Sequence, residues 1–319
     1  MPGRVLIPDN ITEAGKQYLR ERGYEVIEGS GVDEETLCRE IVDCDATLAR
    51  TERYTRRVFQ AAKKLKVIGR HGVGTDNIDL KAATEFGVQV TYAPNANTNS
   101  VAEHTLAMIL ACAQNLVQMD RICRNGPWEL RDQILGIEVK GKTLGVVGTG
   151  KIGQLVMQKA SAGLGMNVIA YNHRPKAVPP EVRLVSDLRD IFREADFVSL
   201  HLPMTRETEN SVGEDLFRLM KPGAFFINTA RGKIVREQDL YRALSEHWIR
   251  GAALDVFQRE PVSKENPLFS LENIIVSPHY GSQTDYARDH MGLDAARGID
   301  EVLSGKEPTW PVNHLSSAC

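Results

Sequence analysis

The stretch TLGVVGTGKIG, residues 143–153, most constrains the fold of this 319-residue chain. It places Gly148, Gly150 and Gly153 in a G-x-G-x-x-G pattern between an apolar run and the helical pattern IGQLVMQKASAGLG. In this context the first glycine makes a tight turn, the second lets the backbone approach a pyrophosphate, and the third packs helix on strand. Free amides at the helix N-terminus favour anions. The pattern therefore predicts a dinucleotide site, whereas the glycines without a strand before them and a helix after them would indicate an ordinary turn.

The residue that holds the ribose hydroxyls is expected about 20 residues further on, and it is acidic in NAD-binding proteins. Here the position falls on Asn172, and His173, Arg174 and Lys176 follow. A carboxylate would repel a 2′-phosphate, whereas a neutral side chain removes that repulsion and the basic residues supply donors. Arg174 is the strongest candidate because its planar guanidinium matches a phosphate. We interpret the stretch as NADP-binding, with NAD as the alternative cofactor and a solvated basic loop as the structural alternative.

Strand-like and helix-like patterns alternate along the chain. Five short apolar runs between residues 4 and 94 alternate with helical patterns, which indicates a parallel sheet. One long helix is predicted over 100–124, with Asn99 or Ser100 as its N-cap and Gly126 near its end. Seven further strand candidates between 143 and 281 predict a second, larger doubly wound sheet.

The domain organisation follows from length and pattern. A chain of 319 residues exceeds the usual size of one hydrophobic core. The final helical segment leads to an end that can return to the first sheet. We therefore predict two doubly wound parallel α/β domains: a Rossmann cofactor domain, 99–289, inserted into a discontinuous flavodoxin-like substrate domain, 1–98 and 290–319. A hinge is expected near residues 98 and 290.

Charge and apolar content limit the partners. The 39 Lys and Arg against 42 Asp and Glu give a net charge of −3, which provides no attraction to nucleic acid or an anionic membrane. No segment reaches the roughly 18 apolar residues of a membrane span, and the N-terminus lacks the apolar run of a signal peptide. A small-molecule partner and a cytoplasmic location are expected.

The cysteines and histidines show no metal-binding pattern. The five cysteines have no C-x-x-C spacing, and no histidine cluster has the spacing of metal ligands. We expect reduced structural thiols and no metal site at Cys38, Cys44, Cys112, Cys123 and Cys319.

Three polar residues follow the C-terminal ends of predicted strands, where an open α/β sheet binds its ligands. Arg231 follows AFFINTA, Glu260 follows AALDVFQR, and His279 follows NIIVSP. Each alone has an ordinary structural explanation, but together they suit hydride transfer to a 2-keto acid. That reaction needs a cation for the carboxylate and carbonyl oxygen, a proton donor, and a carboxylate that keeps the donor protonated.

Six motifs occur in the order found in one family. They are GRHGVGTDNIDL (69–80), NTNSVAEHTLAMIL (97–110), GVVGTGKIG (145–153), INTARG (227–232), ALDVFQREP (253–261) and SPHYGS (277–282). Over nearly its whole length the chain therefore resembles the D-isomer-specific 2-hydroxyacid dehydrogenase family, which includes phosphoglycerate dehydrogenases and glyoxylate/hydroxypyruvate reductases. The stretch YNHRP resembles the NADPH-using reductases.

The resemblance implies a role for each matching position. His279 would be the acid–base residue, Glu260 its hydrogen-bonded carboxylate, and Arg231 the residue that grips the carboxylate and carbonyl of the substrate. The amides of Val73 and Gly74 would bind the substrate carboxylate. Thr229, Ala230 and Asp255 would lie beside the nicotinamide. The amides of Lys151 and Ile152 would bind the pyrophosphate.

The leading hypothesis is an NADP(H)-dependent reductase of small 2-keto acids such as glyoxylate or hydroxypyruvate. The first alternative is an NAD-dependent D-3-phosphoglycerate dehydrogenase, in which Arg50 and Thr51 would bind the substrate phosphate. The second is a nucleotide-sensing scaffold similar to the corepressors of the family. The family also buries the helix equivalent to 100–124 in a two-fold interface, so a homodimer is expected.

Overall fold

The computed structural model describes residues 3–174 and 176–315, so Cys319 lies outside the described residues. The chain forms two compact units. Unit 1 comprises Met1–Asn97 with Ser282–Cys319, and unit 2 comprises Thr98–Gly281.

Unit 1 is built on a five-stranded parallel sheet with the order β2-β1-β3-β4-β5. Its strands are β1 (Arg4–Ile7), β2 (Glu25–Glu28), β3 (Ala46–Ala49), β4 (Val67–Arg70) and β5 (Gln89–Tyr92). Its first four helices are α1 (Glu13–Glu21), α2 (Glu34–Glu40), α3 (Arg56–Ala61) and α4 (Leu80–Glu85). All four residues of β3 are buried, as expected for a parallel strand covered on both faces. The strand order is flavodoxin-like, which confirms the predicted fold class of this sheet.

Unit 2 carries a seven-stranded parallel sheet with the order β12-β11-β10-β9-β6-β7-β8. Its strands are β6 (Thr143–Val147), β7 (Asn167–Tyr171), β8 (Arg183–Leu184), β9 (Phe197–Leu200), β10 (Phe225–Asn228), β11 (Gly251–Leu254) and β12 (Ile274–Val276). Its helices are α5 (Thr98–Ala113), α6 (Leu116–Asn125), α7 (Lys151–Leu164), α8 (Leu188–Glu194), α9 (Glu214–Phe217) and α10 (Glu237–Ser245). The order runs outward from β6 on one side and from β9 on the other. The switch point between these two strands is where open α/β sheets bind ligands, and the predicted Rossmann topology is confirmed.

The helix predicted over 100–124 is in fact two helices, α5 and α6. The break lies at Asn115, whose φ of 51° is left-handed, a conformation that asparagine adopts more readily than most residues. The amide of Ile137 donates to the carbonyl of Ala113 at 2.8 Å and so satisfies the end of α5. The single-helix prediction is wrong because apolar spacing does not register a change of conformation at one residue. The predicted end at Gly126 is correct, since this residue is the C-cap of α6.

The start of α5 also differs from the prediction. The helix begins at Thr98, so Asn99 and Ser100 lie within its first turn rather than at the N-cap.

The last helix, α11 (Asp285–Leu303), belongs to unit 1 and packs against α1. A Cβ added to Gly15 would lie 2.7 Å from the carbonyl oxygen of Gly292, so two glycines let the helices approach closely. The amide of Val312 then donates to the carbonyl of Val90 in β5 at 2.7 Å. The structure divides the chain at 281/282 because all of α11 packs on unit 1, whereas the sequence interpretation placed the boundary at 290.

Within residues 3–174 and 176–315, no helix is long and apolar enough to cross a membrane. In the same part of the chain, no group of three or more His, Cys, Asp or Glu side chains is placed to hold a metal ion. Cys38, Cys44, Cys112 and Cys123 are free thiols, and Cys123 is exposed, so it does not contribute to the core.

Candidate functional site

The three glycines between β6 and α7 have the geometry that a dinucleotide requires. Gly148 has a φ of 105°, a backbone conformation that favours glycine. A Cβ added to Gly153 would lie 2.1 Å from the Gly148 carbonyl oxygen, so the helix can pack here only with glycine. A Cβ added to Gly150 would meet no atom within 4 Å. The backbone at Gly150 is therefore open at the start of α7, where a pyrophosphate would be bound by Lys151 and Ile152 amides.

The turn after β7 is organised by Asn172. Its Oδ1 accepts a hydrogen bond from the amide of Thr149 at 3.3 Å, and its Nδ2 donates to the carbonyl of Arg174. The asparagine thus joins the glycine loop to the basic turn that follows it. His173, Arg174 and Lys176 are exposed. The turn therefore presents basic side chains and no carboxylate at the position where an acidic residue holds a ribose.

His279 and Glu260 form a hydrogen-bonded pair. His279 Nδ1 lies 2.7 Å from Glu260 Oε2, and Glu260 Oε1 accepts from the amide of Phe257 at 3.0 Å. Burial raises the pKa of the Glu260 carboxyl. The hydrogen bond and charge of His279, the Phe257 amide and the charge of Arg231 outweigh that effect, so the pKa is lowered. Glu260 is therefore an anion that holds one nitrogen of the imidazole.

The loop that carries His279 is fixed by the buried carboxylate of Asp255. Its Oδ1 accepts from the amide of Tyr280 at 2.6 Å and from Ser277 Oγ at 2.5 Å, and its Oδ2 accepts from the amide of Gly281 at 2.9 Å. The amide of His279 donates to the Asp255 carbonyl at 2.8 Å. His279 itself has a φ of 52°, a left-handed conformation that this set of bonds maintains.

His104 on α5 extends this network. Its Nε2 lies 3.1 Å from Ser277 Oγ and 3.4 Å from Asp255 Oδ1. Burial raises the pKa of Asp255, but hydrogen bonds from His104, from Ser277 and from the two loop amides outweigh it and lower the pKa. Asp255 is thus charged although it is only 1% exposed.

The loop after β10 places Arg231. Asn228, which is fully buried, accepts from the Ala230 amide and donates to the Arg231 carbonyl, both at 3.0 Å. The hydroxyls of Thr229 and Thr105 lie 2.8 Å apart. A Cβ added to Gly232 would fall 1.9 Å from the carbonyl carbon of Phe257. This close approach brings the arginine loop against the loop that leads to Glu260.

The residues predicted for unit 1 lie in loops after its strands. Val73 and Gly74 follow β4, and Val73 is 38% exposed. Arg50 follows β3, where its Nη1 lies 3.0 Å from Asp9 Oδ2 and 3.2 Å from the Asn10 carbonyl oxygen.

In unit 2 the structure brings together the loops of Arg231, Glu260 and His279. Sequence reasoning missed Asn228, Ser277 and His104, which hold those loops. A polar residue at the end of an apolar strand is the available signal for Asn228 and Ser277. His104 gives no such signal, because its partners are about 150 residues or more away in sequence. Together, the open glycine loop and the histidine–carboxylate pair define a class, a dinucleotide-binding α/β protein with a hydrogen-bonded pair whose chemistry suits proton transfer.

Comparison with known proteins identifies the family. Residues 106–281 match the model of the D-isomer specific 2-hydroxyacid dehydrogenase NAD-binding domain. The chain belongs to the D-isomer-specific 2-hydroxyacid dehydrogenase family, whose members are NAD(P)-dependent oxidoreductases. The family resemblance and the dinucleotide-binding domain inferred from the sequence are confirmed.

Relatives of two kinds are similar to the chain. It is 44% identical to the D-3-phosphoglycerate dehydrogenase of Methanocaldococcus jannaschii over 95% of its length, but spans only 58% of that relative. It is 39% identical to the glyoxylate reductase of Thermococcus onnurineus, covering 98% of this chain and 96% of the relative. The NADPH-dependent glyoxylate/hydroxypyruvate reductase of Sinorhizobium meliloti, solved with NADP and malonate, matches with a TM-score of 0.88 and 25% identity over 98% of this chain and 97% of that one.

Proposed function

We propose that this protein reduces a small 2-keto acid, such as glyoxylate or hydroxypyruvate, to the D-2-hydroxy acid with NADPH. The observation that carries the proposal is the pair of His279 Nδ1 and Glu260 Oε2 at 2.7 Å in a unit that also carries the open glycine loop. When bound, the reduced nicotinamide supplies the hydride to the keto carbon. The protein must then supply one proton to the carbonyl oxygen and must bind the carboxylate.

His279 supplies the proton. Its Nδ1 is held by Glu260, so Nε2 is the nitrogen that serves the substrate. The contact with Glu260 orients the imidazole for proton transfer to the substrate. Arg231 is positioned by Asn228, and its charge binds the carboxylate and polarises the carbonyl oxygen of the substrate. In unit 1, the amides of Val73 and Gly74 are the groups proposed to bind a substrate carboxylate.

NADPH is favoured by the turn after β7. A 2′-phosphate needs donors and no neighbouring carboxylate, and the turn offers exposed His173, Arg174 and Lys176. Asn172 is neutral, and both its polar atoms bind the protein backbone. The complex of the Sinorhizobium relative with NADP supports this assignment.

The remaining cofactor contacts follow from the loops of unit 2. The Lys151 and Ile152 amides in the first turn of α7 bind the pyrophosphate. Thr229, Ala230 and Asp255 lie on the loops that serve the nicotinamide. Since the oxygens of Asp255 already accept bonds from its own loop, its contribution to the nicotinamide site is to hold that loop.

The test is absorbance at the nicotinamide band with NADPH and NADH across a panel of 2-keto acids. We expect turnover with glyoxylate or hydroxypyruvate and a higher kcat/KM with NADPH. Arg174→Ala should raise the KM for NADPH about tenfold or more, as expected for a lost charge-assisted hydrogen bond, and leave NADH nearly unchanged. Arg189→Ala, an exposed arginine on α8, is the control. Equal efficiency with both cofactors in the unmodified enzyme would defeat the NADPH assignment.

An NAD-dependent D-3-phosphoglycerate dehydrogenase is the second candidate, favoured by the 44% identity to the Methanocaldococcus enzyme. Arg50 is the residue that would meet the phosphate. Its guanidinium is paired with Asp9 at 3.0 Å, which offsets part of the charge that a phosphate would use. The assay therefore includes oxidation of D-3-phosphoglycerate with NAD. Turnover there that exceeds keto-acid reduction, and that Arg50→Ala abolishes, would favour this candidate.

We also propose a homodimer that uses the surface of α6 and the segment after it. No residue of α6 is buried within the chain. Leu116 is 61% exposed, Trp128 58% and Leu135 75%. Large exposed apolar side chains on a helix with no buried residue, and on the segment after it, are typical of an interface. Sedimentation velocity should give twice the chain mass, and Leu116→Lys should shift the protein toward the monomer.

A further inference from the structure

The side chain of Arg70 bridges the loop after β4, residues 71–74. Arg70 Nε donates to the carbonyl of Gly74 at 2.7 Å, and Nη1 donates to the carbonyl of His71. One guanidinium thus binds both ends of the four-residue loop. A Cβ added to Gly72 would lie 3.4 Å from Arg70 Nη1, so the side chain passes directly beneath the middle of the loop.

The neighbouring strand holds the loop at a third point. The amide of Ala93, just after β5, donates to the carbonyl of Gly72 at 3.0 Å. In a planar trans peptide the carbonyl and the following amide point in opposite directions. The carbonyl of Gly72 is held against Ala93, so the amide of Val73 faces away from it. Arg70 fixes the peptides on both sides of Val73 and Gly74, and their backbone has little freedom to turn.

The same side chain gives the loop a fixed positive charge. A guanidinium remains charged at every pH at which the protein is folded. The pKa of His71 is lowered to about 4, mainly by burial and further by the charges of Arg70 and Arg50. His71 is therefore neutral near pH 7. Arg70 therefore supplies the charge directly beneath the loop, and oriented amides above a cation form a site for an anion.

We propose that Arg70 is a positioning residue for the substrate carboxylate: it fixes the 71–74 loop so that the amides of Val73 and Gly74 face the anion. The inference rests on the proposed function, which assigns the carboxylate to these amides. It predicts a specific loss, in which an Arg70 variant weakens the binding of a carboxylate but not of a neutral compound of the same shape.

The experiment compares oxamate with oxamide, its neutral amide, in calorimetric titrations of the holoenzyme saturated with NADPH. Arg70→Met keeps the length of the side chain and removes all its donors. We expect this change to weaken oxamate binding on the order of 10- to 100-fold, the range for hydrogen bonds to a charged group, and to change oxamide binding less than threefold. Arg70→Lys keeps the charge but cannot bind both carbonyls, so its loss should be intermediate.

Keto-acid kinetics provide the second readout. Arg70→Met should raise the KM of the keto acid by a similar factor and change kcat much less, because the loop binds the carboxylate before and during the reaction. The dissociation constant of NADPH should not change. Arg57→Met is the control, since Arg57 is an exposed arginine of α3 that lies 3.3 Å from Glu34. If Arg70→Met does not fold, the comparison of oxamate with oxamide in Arg70→Lys tests the proposal instead.

The two proposals fail differently. An unmodified protein that binds oxamate but reduces no keto acid would contradict the proposed function and leave the oxamate comparison intact. Equal weakening of oxamate and oxamide in the Arg70 variants, unchanged oxamate binding, or no oxamate binding by the unmodified holoenzyme would overturn the role of Arg70.

Discussion

Glu260 and His279 are joined by one short contact, 2.7 Å between Oε2 and Nδ1. The other oxygen of Glu260 is held at 3.0 Å by the amide of Phe257. The carboxylate is thus fixed at both oxygens, and the histidine that it binds is fixed in turn by the hydrogen bond from its own amide to the Asp255 carbonyl. Backbone groups thus hold both members of the histidine–carboxylate pair.

A substitution at Gly150 should affect cofactor binding without affecting folding, because the space beside this residue is open. Its φ of −72° and ψ of −174° suit alanine, and a Cβ would meet no atom within 4 Å. Gly150→Ala should therefore keep the free energy of unfolding within about 0.5 kcal/mol and weaken dinucleotide binding at least about tenfold, because the methyl group occupies the space needed by the pyrophosphate. Urea unfolding and fluorescence titration with NADPH measure the two effects.

Two other glycines of the same loop and helix serve as references. Gly153→Ala should cost about 1–3 kcal/mol of stability through overpacking against the Gly148 carbonyl. Gly163→Ala, at an exposed position of α7 with nothing near the added Cβ, should stabilise by about 0.5–1 kcal/mol. Normal dinucleotide affinity in Gly150→Ala would contradict the site.

Asp255 should matter for both stability and turnover. Asp255→Asn replaces an anion that accepts from two loop amides by a group with one acceptor and an NH₂ that faces a donor. We expect a loss of about 1.5–3 kcal/mol in the free energy of unfolding and a lower kcat, since the loop of His279 is no longer held. Asp187→Asn, at the exposed N-cap of α8, is the matched control, because asparagine caps equally well. Unchanged turnover in Asp255→Asn would show that the loop does not need this carboxylate.

Acid should destabilise the fold before the carboxylates titrate. Burial lowers the pKa of His201 to about 4, and its Nε2 lies 2.9 Å from Ser199 Oγ. An unfolded histidine binds its proton near pH 6.5, so between about pH 6.5 and 4 the unfolded state holds more protons than the folded state. Stability is full above pH 6.5, falls as the pH drops toward 4, and levels off below. The loss reaches up to about 3 kcal/mol for this one group.

Unfolding in urea from pH 7 to pH 4 checks this expectation. The slope of stability against pH should be shallower in His201→Gln, whereas the exposed His314→Gln should keep the original slope. Identical slopes in the unmodified protein and His201→Gln would mean that His201 is not neutral in the folded state.

The sequence was most informative where a local pattern has one structural outcome. The strand candidates all became strands, since short apolar runs bounded by turn residues suit a parallel sheet. Gly148 and Gly153 were predictable because the backbone conformation of the first and the close packing of the second require glycine, whereas Gly150 leaves open space beside the helix. The break at Asn115 and the role of His104 were not predicted, because neither follows from a local sequence pattern. The first depends on one backbone dihedral, and the second on partners brought close only by the fold.

The central claim is that His279 gives the proton and that Glu260 holds the imidazole in position. Turnover of the unmodified enzyme, Glu260→Gln and His279→Ala at saturating keto acid and NADPH tests it most directly, with a check that chemistry limits the rate. The pKa of Glu260 is lowered, so Glu260→Gln removes an anion that holds Nδ1 of His279, and kcat should fall. His279→Ala should lower kcat by on the order of 10² to 10⁴. Unchanged turnover in Glu260→Gln, or near-normal turnover in His279→Ala, would contradict the assignment of the acid and its partner.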